Sequence, residues 1–310
     1  MKAPNQRLAT AVVLILAVAG LAQQVADPDF DPKVANPAYT KKHPKVFLDE
    51  AHNNFHTASG RYKPFADLIS NDGYQVIPNK QKFSKAALKG CDVLVVSNAL
   101  GAVAMGSPEA SNSAFTEEEC DAVRDWVRSG GNLLLIADHA PMGAANEKLG
   151  MRFGVEMSKG YTGDPANRDE ETGSDTFLKY NRENKLLGDH PITHGRNAGE
   201  TISRVIAFTG QSLKGPKDSV AFMKLADTAV NVIPARPDSP EQQSSAAGQA
   251  QGIAFKFGKG RAVVLAEAGM LSAQLAGPRK MKFGMNRPGI DNRQLALNIM
   301  HWLSGLLKVA

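Results

Sequence analysis

The chain has 310 residues, a formal net charge of +5 and two cysteines; 43% of it is hydrophobic and 22% charged. That is enough chain and enough apolar content for one large domain with a full core. The basic residues form no dense stripe with interleaved aromatics, which sets nucleic acid aside as a partner and leaves the lysines as solvated surface.

Lys2 and Arg7 precede an almost unbroken apolar run from Leu8 to Ala19. Gly20-Leu21-Ala22 then supplies small residues at the positions a signal peptidase reads. The run is short for a membrane span, so residues 1–22 are read as a signal peptide, with a retained anchor as the alternative. A periplasmic or secreted bacterial protein is expected, with no transmembrane domain. Residues 23–44 hold four prolines and little apolar periodicity, which reads as an extended linker. A single domain over 45–310 follows.

Within it, Val46-Phe47-Leu48 reads as a strand and Tyr62 to Ser70 as a helix. Tyr74 to Pro78 reads as a second strand, Phe83 to Lys89 as a helical turn, and Asp92 to Ser97 as a strand buried on both faces. Thr116 and Glu119 form a capping box that starts a helix ended by Gly130-Gly131. Asn132 to Asp138 is a fourth strand and Ala145 to Phe153 a helix. This alternation predicts an α/β three-layer sandwich on a mostly parallel sheet. Residues 158–184 and 236–250 read as irregular loops, and Ser203 to Thr209 and Val220 to Leu225 as strands. Gly252 to Phe257 and Arg261 to Glu267 read as an antiparallel hairpin near the C-terminus. Asp291 to Leu307 closes the chain as a helix with Leu295, Ile299, Trp302 and Leu306 inward. Cys91 falls at the N-terminal edge of its strand and Cys120 near the opposite edge. A strand of six residues spans about 20 Å, too far for a disulfide, so two free, buried thiols are expected.

Ligands of open α/β sheets sit beyond the carboxyl ends of the strands. Here those ends carry Glu50, His52, Asn53, Asn54 and His56 after the first strand, Asn98 after the third, Asp138 and His139 after the fourth, and Glu267 with Gln274 after the hairpin. Glu50, Asp138, His139 and Glu267 are the candidate acid, base or nucleophilic groups. His52, Asn53, Asn54, Asn98 and Gln274 are candidate ligand-binding groups. His52, His56 and His139 with a carboxylate are the right donor types for a divalent metal. However, His52 and His56 face one way only on a helix, and Asn53-Asn54 after a strand opposes one.

The four-strand start, the Asp189 to Gly195 turn DHPITHG and the late hairpin GKGRAVVLAEAGM resemble the class I glutamine amidotransferase-like superfamily, over residues 45–307. Within it the chain is similar to exported bacterial members and, more loosely, to trehalose-utilisation-like domains. The resemblance implies a flavodoxin-like fold. It does not extend to the cysteine triad of glutamine hydrolysis. The elbow reads Ala137-Asp138-His139, and the late strand reads Leu265-Ala266-Glu267-Ala268 with no preceding His. The expectation is therefore an envelope protein that binds a small polar or carbohydrate-like ligand at the sheet's carboxyl edge, with hydrolysis open to it. The alternatives are a metal-dependent hydrolase using His52, His56 and His139, and a non-catalytic envelope interaction protein.

Overall fold

Unbroken apolar runs dictate the centre of the molecule. The computed structural model describes residues 24–235 and 239–308; the leader read over residues 1–22 lies outside them. The strands of the main sheet are β1 (Lys45–Asp49), β2 (Gln75–Asn79), β3 (Val93–Ser97), β4 (Asn132–Ile136), β5 (Glu156–Met157), β6 (Leu213–Lys214), β7 (Val220–Lys224), β8 (Ala250–Phe257) and β9 (Gly260–Leu265). Their order is β2-β1-β3-β4-β9-β8-β6-β5, with β7 also paired to β8. The run from β2 to β9 is parallel, and β8 turns antiparallel against β9 across Gly258 and Lys259. This is the flavodoxin-like α/β architecture expected from the sequence.

The helices are α1 (Lys63–Asn71), α2 (Glu117–Arg128), α3 (Met142–Met151), α4 (Pro191–His194) and α5 (Asn292–Leu303). A strand sends successive side chains to opposite faces, so a run buried on both sides serves two cores. Val93 and Val95 of β3 join Leu134, Ile136, Val263 and Leu265 beneath α1 and α5. Leu94 and Val96 join Leu133, Leu135 and Val264 beneath α2 and α3. The Thr116 capping box is present: Thr116 Oγ1 accepts from Glu119 N at 3.3 Å, and Glu119 Oε2 accepts from Thr116 N at 3.0 Å.

Several expectations change. Residues 24–44, read as an extended linker, form a belt bound to the domain. Val25 and Ala26 pair with Leu275 and Gln274, Phe30, Val34 and Tyr39 pack on the core, and Asp72 Oδ1 accepts from Ala38 N at 2.8 Å. Residues 158–184 are irregular except for two short strands, Tyr161–Gly163 pairing with Val230–Ile233 and Phe177–Asn181 pairing with Arg204–Phe208. In the other expected loop, Gln242–Ser245 also pairs with Val230–Ile233. Polar, glycine-rich composition hides short strands whose partners lie far along the chain. Phe83 to Lys89 holds the helical turn expected, with Leu88 N donating to Ser84 O at 3.0 Å, and extends no further into a helix. The helix expected from Ala145 begins at Met142. Leu306 is exposed because α5 ends at Leu303.

Cys91 and Cys120 are free and buried. Burial pushes their thiols up to about 12 and about 11 respectively. Among the described residues no helix is long and apolar enough to cross a membrane.

Candidate functional site

Sheet register places the chemistry. Ile136 of β4 is paired with Ser97 of β3 on one side and Leu265 of β9 on the other. Two residues past each end of the β4–β9 pair come Asp138 and Glu267, so the two carboxyls emerge side by side. Ala137 N still bonds Leu265 O, and Ala268 N reaches Asp138 Oδ2 at 3.4 Å. Asn98 turns the chain after β3 with φ of 49°, a left-handed conformation that asparagine tolerates better than most residues. Its Oδ1 accepts from Asp138 N at 3.0 Å. A cavity of about 510 Å³ opens over this rim, and His56, Asn98, Asp138, His139 and Gln274 all line it.

The two carboxyls are pressed toward their protonated forms. Burial pushes Asp138 up to about 7, against the opposing pull of the His139 and Ala268 amides and of Asn98. Burial, and then the charge of Asp138, raise Glu267 well above the usual carboxylate range. Glu267 is fully buried beside the sheet, where Gly269 N and Met270 N donate to it. Position 269 must be glycine, since a Cβ there would come within 2.5 Å of the Phe283 ring and 2.7 Å of Glu267 Oε1. Two neighbouring buried carboxyls cannot both ionise cheaply, so the pair retains a proton.

The imidazoles are held neutral. Burial lowers His139 to about 4, against the pull of the Ala140 carbonyl. His139 Nδ1 lies 2.7 Å from that carbonyl oxygen. A carbonyl only accepts, so Nδ1 carries the proton and Nε2 keeps its lone pair. The ring stacks on Tyr161 with centroids 4.5 Å apart. His56 is lowered to about 3 by burial and by the Arg61 charge. It stacks on Tyr62 at 4.4 Å, and its Nδ1 lies 3.2 Å from Ser97 Oγ.

The remaining sequence candidates serve the scaffold. His52 Nδ1 faces both Asp49 carboxyl oxygens at 2.9 and 2.8 Å, and its Nε2 faces Glu119 Oε1 at 2.9 Å. Both ring nitrogens are therefore engaged, and His52 ties the first loop to α2. Asn54 accepts from His52 N and donates to Asp49 Oδ2. Asn53, at a φ of 48°, donates to Leu100 O. Glu50 Oε1 accepts from Ala58 N at 2.9 Å and closes the same loop. None of Glu50, His52, Asn53 and Asn54 lines the cavity. The His52, His56 and His139 metal set is not assembled, because His52 has no free nitrogen. Among the described residues no group of three His, Cys, Asp or Glu side chains is placed to hold a metal ion.

Sequence reasoning missed the aromatic wall, where Phe177, Phe208 and Phe283 line the cavity with Thr176 and Thr209. The alternation of Leu178 and Tyr180 with Lys179 and Asn181 was the available signal, submerged in a segment read as a loop.

No family model matches the chain, and no curated protein sequence does. Similar solved structures include the mmIFT52 N-terminal domain, 13% identical over 84% of this chain and 97% of that one, with a TM-score of 0.55. A ThuA-like protein from Bacteroides uniformis is 16% identical over 87% of this chain and 95% of that one, with a TM-score of 0.45. A GMP synthase protein from Thermoplasma acidophilum is 13% identical over 86% of this chain and 97% of that one, with a TM-score of 0.41. At these identities the likeness is one of fold alone.

The raised carboxyl has a measurable consequence. Between its ordinary value near 4 and its folded value of about 7, Asp138 keeps a proton that the unfolded chain releases. Its contribution to stability is therefore lost as pH rises through that window. Urea unfolding of D138N at pH 8 is expected to show higher stability than the parent protein, by on the order of 2 kcal/mol. The difference should close below about pH 4. A gap independent of pH would contradict the assignment.

Proposed function

We propose that this protein binds a small polar, carbohydrate-like molecule in the cavity at the carboxyl edge of the sheet and hydrolyses a bond in it by general acid–base catalysis. The observation that carries this reading is Asp138, raised to about 7 beside the fully buried Glu267 and lining the cavity next to a neutral His139. An acid poised near neutral pH and an unprotonated imidazole are the two partners that hydrolysis requires. In the proposed step Asp138 gives its proton to the leaving oxygen as the bond to it breaks. Water attacks the carbon, and His139 Nε2 takes the proton that the water sheds. Passing that proton back to the carboxyl pair restores the starting state. Asn98 and Gln274 supply amides that orient hydroxyl groups.

Turnover of a panel of mono- and disaccharide glycosides, followed by mass spectrometry, tests the reading. D138N should lower the rate at least about 100-fold with an unchanged circular dichroism spectrum. Equal rates in D138N would remove Asp138 as the acid. Neither binding nor turnover of any panel member would remove the ligand class.

Residues 1–22 we propose to be an export signal, on their charged start and short apolar run. Sequencing the N-terminus of protein from the periplasm should give Gln23 first. Full-length chain starting at Met1 in the membrane fraction would favour the retained anchor.

A further inference from the structure

The cavity is not polar all round. In the same cavity, three aromatic rings from separate strands meet in one wall, two of them close to Glu267. Phe208 and Phe283 have centroids 4.3 Å apart, and Phe177 lies 5.3 Å from Phe208 and 6.2 Å from Phe283. All three line the cavity, as does Met281. Phe208 and Phe283 are almost wholly buried, while Phe177 and Met281 leave apolar surface open. A second feature points to an occupant. Gln274 is 1% exposed and lines the cavity; its Nε2 donates to Ser272 Oγ at 2.7 Å, yet its Oε1 has no donor among the described residues. A buried acceptor left unpaired costs stability unless something supplies the missing donor. The same cavity thus holds an unpaired acceptor and an unpaired apolar wall.

We propose that the ligand is amphiphilic: a hydroxyl-bearing head that donates to Gln274 and meets Asp138 and His139, joined to a flat apolar group that stacks on Phe177, Phe208 and Phe283. An aryl glycoside has this chemistry and a free sugar does not. The inference rests on the proposed polar-ligand reading and narrows its substrate class. Aromatic faces stack on planar apolar groups, so the rings take the planar group, while Asn98, Asp138, His139 and Gln274 of the same cavity take the hydroxyl-bearing head.

Calorimetric titration with methyl β-D-glucoside, phenyl β-D-glucoside and glucose, repeated for other sugar heads, separates the two readings. In the parent protein the phenyl compound should bind at least about tenfold tighter than its methyl partner. In F177A that advantage should fall to near unity. F283L, which keeps the apolar volume but removes the ring, should lose part of the advantage, with folding checked by melting temperature. Q274L should weaken methyl and phenyl glycosides alike. Equal binding of phenyl and methyl compounds in the parent protein, or an advantage that survives F177A and F283L, overturns the inference and leaves the polar-ligand reading standing. Binding of no glycoside at all overturns both.

Discussion

A carboxylate buried beside another carboxylate cannot keep its charge without a large cost, and that constraint organises the site. Asp138 and Glu267 are forced together by sheet register, since each lies two residues beyond a paired position on neighbouring parallel strands. The chain answers with backbone donors. Gly269 and Met270 serve Glu267, while His139 and Ala268 serve Asp138. These donors offset part of the cost of burial, and keeping one of the two carboxyls protonated relieves the remainder. A pair that holds a proton near neutral pH is a poor structural element and a good chemical one.

The polar richness of the first loop has a different meaning. Asp49, His52, Asn54 and Glu50 bond to one another, to Glu119 and to backbone groups. They hold the loop in place so that His56, at its end, lines the cavity. Glu119 thus does two jobs, capping α2 and gripping His52. The belt at residues 24–44 plays a comparable part, since Val25 and Ala26 pair with the strand that carries Gln274, and Gln24 itself lines the cavity.

The parallel half of the sheet was legible because β3, β4 and β9 are apolar on both faces, and only a strand between two layers of helices needs that pattern. Legible for the same reason was the convergence of Asn98, Asp138, His139 and Glu267 on one rim, which follows from strand order alone. Glu50, His52, Asn53 and Asn54 were misjudged because a sequence shows which groups are polar but not which are already satisfied by neighbours. The aromatic wall was hidden for another reason. Phe177, Phe208 and Phe283 come from strands separated by tens of residues, and no local period links them.

The chemistry of the site stands on the proton retained by the pair Asp138 and Glu267. Carbon-13 NMR titration of the side-chain carboxyls, assigned with D138N and E267Q, observes it directly. The pair should retain one proton through neutral pH, with the Asp138 signal turning near pH 7. Both carboxyls losing their protons below about pH 5, as ordinary exposed carboxyls do, would contradict it.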